Sequence, residues 1–256
     1  MSLDIIAMGF LIGNLVGLTG VGGATLLTPF LIFIGINPHI AVGTDLVYNS
    51  ITKLFGTIQH WRQKTIKYQL VVYLAIGSIP GAILAVLFLN FSVRMHDLQE
   101  QIIRHSLGYL LIVTALATLI NTFFLNKDNY DRKINTKPIY VKRLLIIMIG
   151  VILGFIVGLT SIGSGSLFAI ALMFFYRLKP TDLVGTVMAH AFILVTVAGL
   201  LNVGFRNVDY WLVANLLLGS VPGVLIGSSM VKKVPGKLLR TFITSIILIS
   251  GIKLLN

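Results

Sequence analysis

The sequence predicts an all-α integral membrane protein of two inverted-topology repeats, from its composition, an ordered internal repetition and a one-sided distribution of basic residues. Of 256 residues, 56% are hydrophobic and only 11% charged, and mean hydropathy is +0.95. Soluble domains ordinarily carry about a quarter charged residues. Too few polar residues are present to coat a globule, so lipid must face much of the surface.

Ten apolar segments follow one another, at roughly 3–18, 22–36, 40–59, 68–89, 103–125, 141–159, 162–176, 182–203, 210–230 and 238–255. The one long polar stretch, Asn126 to Arg143, divides the first five from the last five. Repeat one therefore covers 1–125, a basic linker 126–140, and repeat two 141–256. Gly13-x-x-Val16-Gly17-Leu18-Thr19-x-Val21-Gly22 reads again as Gly154-x-x-Val157-Gly158-Leu159-Thr160-x-Ile162-Gly163. Val42-Gly43-Thr44 recurs as Val184-Gly185-Thr186, and Gly77-Ser78-Ile79-Pro80-Gly81 as Gly219-Ser220-Val221-Pro222-Gly223. The order is kept, and the register slips by one residue near Pro38 and Pro180. That is the mark of duplication.

Charge then orients the chain. With the linker in the cytoplasm and every segment alternating, 15 of the 20 basic residues fall on the cytoplasmic side. The opposite side receives Arg94, Arg104, Arg206 and Lys253, as the positive-inside rule expects. The loop after segment three is then cytoplasmic and its counterpart after segment eight external, so the copies are inverted and both termini external. The start, Met1-Ser2-Leu3-Asp4, has no basic n-region, and its first apolar segment is expected to be retained.

The first two segments of each half are short and joined by small residues: Gly20-Val21-Gly22-Gly23 in one copy, Ser161-Ile162-Gly163-Ser164-Gly165 in the other. Either both segments span a thinned bilayer, or each pair is a hairpin ending inside it. Glycine-interrupted segments at matching positions favour the hairpin.

The glycine run with Pro29 behind it, Ala41-Val42-Gly43-Thr44 and the paired Gly-Ser-Ile/Val-Pro-Gly motifs together resemble the TauE/SafE family of membrane transporters. The likeness covers nearly the whole chain. It implies a multi-pass carrier of a bacterial or archaeal inner membrane, linked to movement of sulfite, sulfonates and related sulfur oxyanions. The second copy departs from the glycine pattern, with Ser161 and Ser164 where the first has Gly20 and Gly23.

Segments two and seven begin at these turns, and a helix N-terminus within the membrane offers unpaired N–H donors to an anion. Thr19, Gly20, Gly22 and Gly23 in one turn, and Ser161, Gly163, Ser164 and Gly165 in the other, are candidate substrate contacts; Ser166 adds a hydroxyl. Small residues also simply permit close helix packing. In segment three, Asp45, Asn49 and Lys53 follow at i, i+4 and i+8 and share one helical face. Burying Lys or Asp in a bilayer costs about 2.5–3.5 kcal/mol each on insertion scales, so such residues seek a partner or a wet cavity. Lys53 is a candidate counter-charge with Asn49 beside it, and Asp45 a candidate proton carrier, since an ionised Asp45 repels an anion. The bland alternative is a structural Asp45–Asn49–Lys53 network. The repeat equivalents Val187, Ala191 and Val195 are apolar, so the fold does not demand this face. Thr44, Thr186 and His190 complete the substrate set, with His190 a second candidate for the proton. The Gly-Ser-Ile/Val-Pro-Gly motifs read as packing or hinge elements. Trp61, Trp211, Tyr68 and Tyr210 read as an interfacial belt.

These features point to a secondary transporter of a small anion working by alternating access, with a small-anion channel as the alternative. Proton coupling and export down a gradient both fit. Basic residues confined to short loops argue against a nucleic-acid partner. Without cysteine, HExxH, GxSxG or a phosphate-binding loop, neither catalysis, a cofactor nor direct ATP drive is expected.

Overall fold

A computed structural model describes residues 3–19, 24–92, 96–123, 143–176, 178–230 and 236–255. Among them every regular element is helical. In chain order these are α1 (Leu3–Thr19), α2 (Ala24–Phe33), α3 (Pro38–Arg62), α4 (Tyr68–Leu87) with a π-helical turn (Phe88–Ser92), and α5 (His96–Phe123). After them come α6 (Arg143–Thr160), α7 (Ser166–Phe175), α8 (Pro180–Gly204), α9 (Tyr210–Met230) and α10 (Gly236–Leu255). Gly20, Gly22, Gly23, the Thr19 side chain and the linker 126–140 lie outside the described residues.

Local chemistry sets several boundaries. Pro38 and Pro180 open α3 and α8, where proline's fixed φ suits the helix and its missing N–H is no loss. Asn37 caps α3, its side-chain oxygen accepting the His39 N–H at 2.9 Å. Helix α5 begins at His96, ahead of the apolar run at 103, because its first turns are polar; Arg104 and Glu100 pair at 3.0 Å one turn apart. Helices α2 and α7 have ten residues each, so each rises about 15 Å against about 30 Å of hydrocarbon. Neither can cross alone.

The helices exchange partners in a reciprocal way. Helix α1 packs on α9 and α6 on α4, while α3 packs on α8 and α5 on α10. At the first two seams glycine brings backbones together. A Cβ added to Gly13 would lie 2.4 Å from the Ser220 carbonyl oxygen, and one added to Gly154 2.1 Å from that of Ser78. These are corresponding positions of the recurring sequence motifs.

Helices α3 and α8 run antiparallel. Gly43 approaches Asn207 and Asn202, Gly199 approaches Val47, Gly56 approaches Met188, and Gly185 approaches Thr65. The joints at their ends also correspond. Thr44 Oγ1 accepts the Asp209 N–H at 3.1 Å ahead of α9, and Thr186 Oγ1 accepts the Lys67 N–H at 3.0 Å ahead of α4. Lys64 and Arg206, which follow α3 and α8, both take the left-handed conformation, φ 56° and 60°.

Large apolar side chains remain exposed in stripes. Ile76 and Leu84 of α4, Met148 and Ile152 of α6, and Leu218 and Leu225 of α9 are each more than half exposed. Faces this apolar call for a lipid covering. Three segments, Tyr68–Phe91, Arg143–Thr160 and Thr181–Gly204, are long and apolar enough to cross a membrane. Trp61, Tyr68, Tyr210 and Trp211 are exposed at helix ends, where interfacial aromatics sit. The protein is a multi-pass helical membrane protein.

Candidate functional site

A polar cluster occupies the middle of the bundle. Asp45, Asn49 and Lys53 descend one face of α3, and all three are buried. The Asn49 amide nitrogen donates to Asp45 Oδ1 at 2.5 Å, and the Thr28 hydroxyl of α2 donates to Asp45 Oδ2. Lys53 has a different hydrogen-bond partner. Its Nζ donates to Ser164 Oγ of the α6–α7 turn at 2.6 Å, and no salt bridge joins it to Asp45. Asn49 therefore serves Asp45 but does not bridge it to Lys53.

The α6–α7 turn thus lies level with the middle of α3. Its path is tight: Ser161 and Gly163 both have positive φ, 63° and 88°. The Ser161 hydroxyl faces the Asp45 carboxyl without closing a hydrogen bond. At the N-terminus of α7, Gly165 stands as the capping residue with no side-chain cap, and a Cβ built on it meets nothing within 4 Å. The first N–H groups of any helix lack intrahelical acceptors; here the Leu167 N–H donates to the Gly163 carbonyl of the turn at 3.1 Å.

His190 of α8 closes the cluster. Its Nε2 lies 2.8 Å from Ser78 Oγ, its ring packs 4.3 Å from that of Phe168, and the Lys53 charge acts on it. Its Nδ1 is buried with no partner. When the Ser78 hydroxyl donates to Nε2, Nδ1 carries the hydrogen. It is then a donor in search of an acceptor. Across the repeat, Tyr48 stands where His190 does and interacts with Ser220, the counterpart of Ser78.

Among the described residues, four buried side-chain polar atoms lack a partner, and three of them, Ser161 Oγ, Ser166 Oγ and His190 Nδ1, belong to this cluster. Burial without a partner is unfavourable, so their grouping is what a ligand site looks like. The cluster is closed off: Asp45, Ser161 and His190 are 0% exposed, Asn49 and Ser164 1%, and Lys53 4%.

The sequence-derived candidates thus divide. Asp45, Asn49, Lys53, Ser161, Gly163, Ser164, Gly165 and His190 come together, with Ser166 beside them. Thr44 and Thr186 hold helix joints instead. Asn202 and His60 also serve end joints, Asn207 donating to Asn202 at 3.4 Å and His60 pairing with Thr65 at 3.0 Å. Asn14 lines a separate, apolar cavity of about 330 Å³ with Met8, Ile12 and Phe30. Thr28 and Ser78 are additions that no motif announced as polar contacts. Among the described residues no group of three or more His, Asp or Glu side chains is placed to hold a metal.

The family model described as "Sulfite exporter TauE/SafE" matches residues 5–254. The chain belongs to this family. It is 58% identical over 255 residues to the "Probable membrane transporter protein YjnA" of Bacillus subtilis (strain 168), covering 100% of both chains. It is 28% identical to the "Probable membrane transporter protein YdhB" of the same organism, over 98% of this chain and 99% of that one. It is also 27% identical to the "Probable membrane transporter protein MJ0441" of Methanocaldococcus jannaschii, over 98% and 94%. No solved structure matches this TauE/SafE member.

Proposed function

We propose that this TauE/SafE protein is a secondary transporter, not an enzyme, that carries a small anion by alternating access. The observation that carries this reading is the grouping of Lys53 with three unpartnered buried polar groups beside a helix N-terminus that has no side-chain cap. A small oxyanion supplies acceptors for all of them at once. Sulfur oxyanions and organosulfonates are the first substrates to try, given the family's description. Carboxylates of similar size are the comparison.

Burial of Asp45, Asn49, Lys53, Ser161, Ser164 and His190 favours a carrier over an open pore, because a continuous aqueous path would leave some of them wet. The antiparallel α3–α8 pair and the reciprocal α1–α9 and α6–α4 seams support inverted repeats, with the site at their interface. The ten-residue α2 and α7 support re-entrant hairpins. The distribution of basic residues supports a cytoplasmic linker and external termini in a prokaryotic inner membrane.

The test is counterflow in proteoliposomes loaded in turn with sulfite, sulfate, thiosulfate, methanesulfonate or acetate. A carrier gives saturable uptake of labelled anion, accelerated by unlabelled anion on the far side. Linear, non-exchanging flux favours a channel, and the absence of flux for every anion removes the reading.

A further inference from the structure

Resting on the anion-carrier reading, we propose that the site takes a monovalent anion together with one proton borne by Asp45, so that empty and loaded forms are both neutral and transport is electroneutral. The argument is one of charge and partners. Empty, the site holds the Asp45 carboxylate and the Lys53 ammonium, a net charge of zero. A bound monoanion leaves one negative charge among buried side chains, where uncompensated charge is strongly disfavoured. One proton restores neutrality; a dianion would need two.

The surroundings of Asp45 say where that proton goes. The groups facing it are Thr28 of α2, Asn49, Tyr48 and Lys53 of α3, and Ser161 of the α6–α7 turn. No basic side chain pairs with it directly. The Thr28 hydroxyl donates to the carboxylate, and a hydroxyl can rotate to accept instead. Once a proton forms an O–H bond at Asp45 Oδ2, the same contact persists with donor and acceptor exchanged. Ser161, with its hydroxyl unpartnered, can then turn fully to the anion. His190 is the poorer carrier: protonated, it would stand as a second cation under the influence of Lys53, whereas with Ser78 donating to Nε2 its Nδ1–H is left to donate to the anion. The repeat counterpart of Asp45 is Val187, so the proton site is single.

Methanesulfonate is the probe, because it stays ionised and cannot carry the proton itself; sulfate is the dianion control. Vesicles holding the wild-type protein and a trapped pH dye are given an inward proton gradient, with membrane potential clamped by valinomycin and potassium. Methanesulfonate should accumulate by about tenfold per pH unit, with one proton entering per anion, and should ignore an imposed potential. Sulfate should accumulate far less. Asp45→Asn should lose the pH-driven accumulation, and methanesulfonate binding to the purified variant should lose its pH dependence. The wild-type stoichiometry decides the matter if that variant fails to fold. Accumulation that follows potential at equal pH, net methanesulfonate uptake without proton entry, or a gradient response surviving in Asp45→Asn overturns this inference while leaving the carrier standing. If no anion of the counterflow series is carried, the carrier reading fails and this inference with it.

Discussion

Lys53 brings a positive charge to mid-helix in α3 with one hydrogen-bond partner, Ser164 Oγ at 2.6 Å. An ammonium has three N–H donors, so two remain for a ligand. Hydrogen bonds to a charged group contribute about 1.5–3 kcal/mol. Lys53→Met, which keeps the apolar stem, is therefore expected to weaken anion binding about ten- to hundredfold. Isothermal titration of the purified variant checks this, and unchanged affinity removes Lys53 from the site. The i, i+4, i+8 spacing of Asp45, Asn49 and Lys53 made this face legible in the sequence, because charges within an apolar helix stand out. Thr28 and Ser78 were not legible. A lone hydroxyl in a helix ordinarily bonds the carbonyl one turn back, as Thr196 does to Phe192 at 2.7 Å. Only packing brings Thr28 to Asp45 and Ser78 to His190. Thr44 and Thr186 illustrate the converse, since a duplicated threonine reads equally well as ligand or as helix joint.

At the scale of elements, hydropathy placed all ten helices, and its errors have physical causes. Polar first turns hid the start of α5. Segment seven was expected from 162, yet α7 starts at Ser166 because Ser161 and Gly163 take positive φ and cannot continue a helix. The glycine spacing was legible as motif but not as partner: nothing local says that Gly154 meets Ser78 or that Gly13 meets Ser220. Contacts of 2.1 and 2.4 Å from an added Cβ to a backbone oxygen leave no flexible atom to yield. Gly154→Val is thus expected to destabilise the α4–α6 seam by more than the about 1–3 kcal/mol usual for overpacking. It should lower the thermal midpoint of the detergent-solubilised protein or abolish its yield. Gly165→Ala, whose Cβ meets open space, should fold like the parent. Equal stability of all three proteins contradicts the seam geometry.

The whole molecule turns on how the two halves face each other. Because α3 and α8 are antiparallel, the bends that follow them emerge at opposite ends of the bundle. One carries Lys64 beside the start of α4, the other Arg206 beside the start of α9. Twenty-five helical residues rise about 37 Å, enough to put these two positions across the full hydrocarbon layer from each other. Both side chains are exposed, and both occupy the same left-handed conformation, so a cysteine at either imposes a similar local change. The chain has no cysteine of its own, so Lys64→Cys and Arg206→Cys each give a single reporter. In the orientation proposed from the excess of basic residues around Arg62, Lys64 and Lys67, that end is cytoplasmic. In intact cells a membrane-impermeant maleimide should label the Arg206→Cys protein and spare the Lys64→Cys protein. In inside-out vesicles the pattern should reverse. Labelling of both from the same side means that the halves are not inverted. The proposed anion would then lose its site where α3 of one half meets the α6–α7 turn of the other.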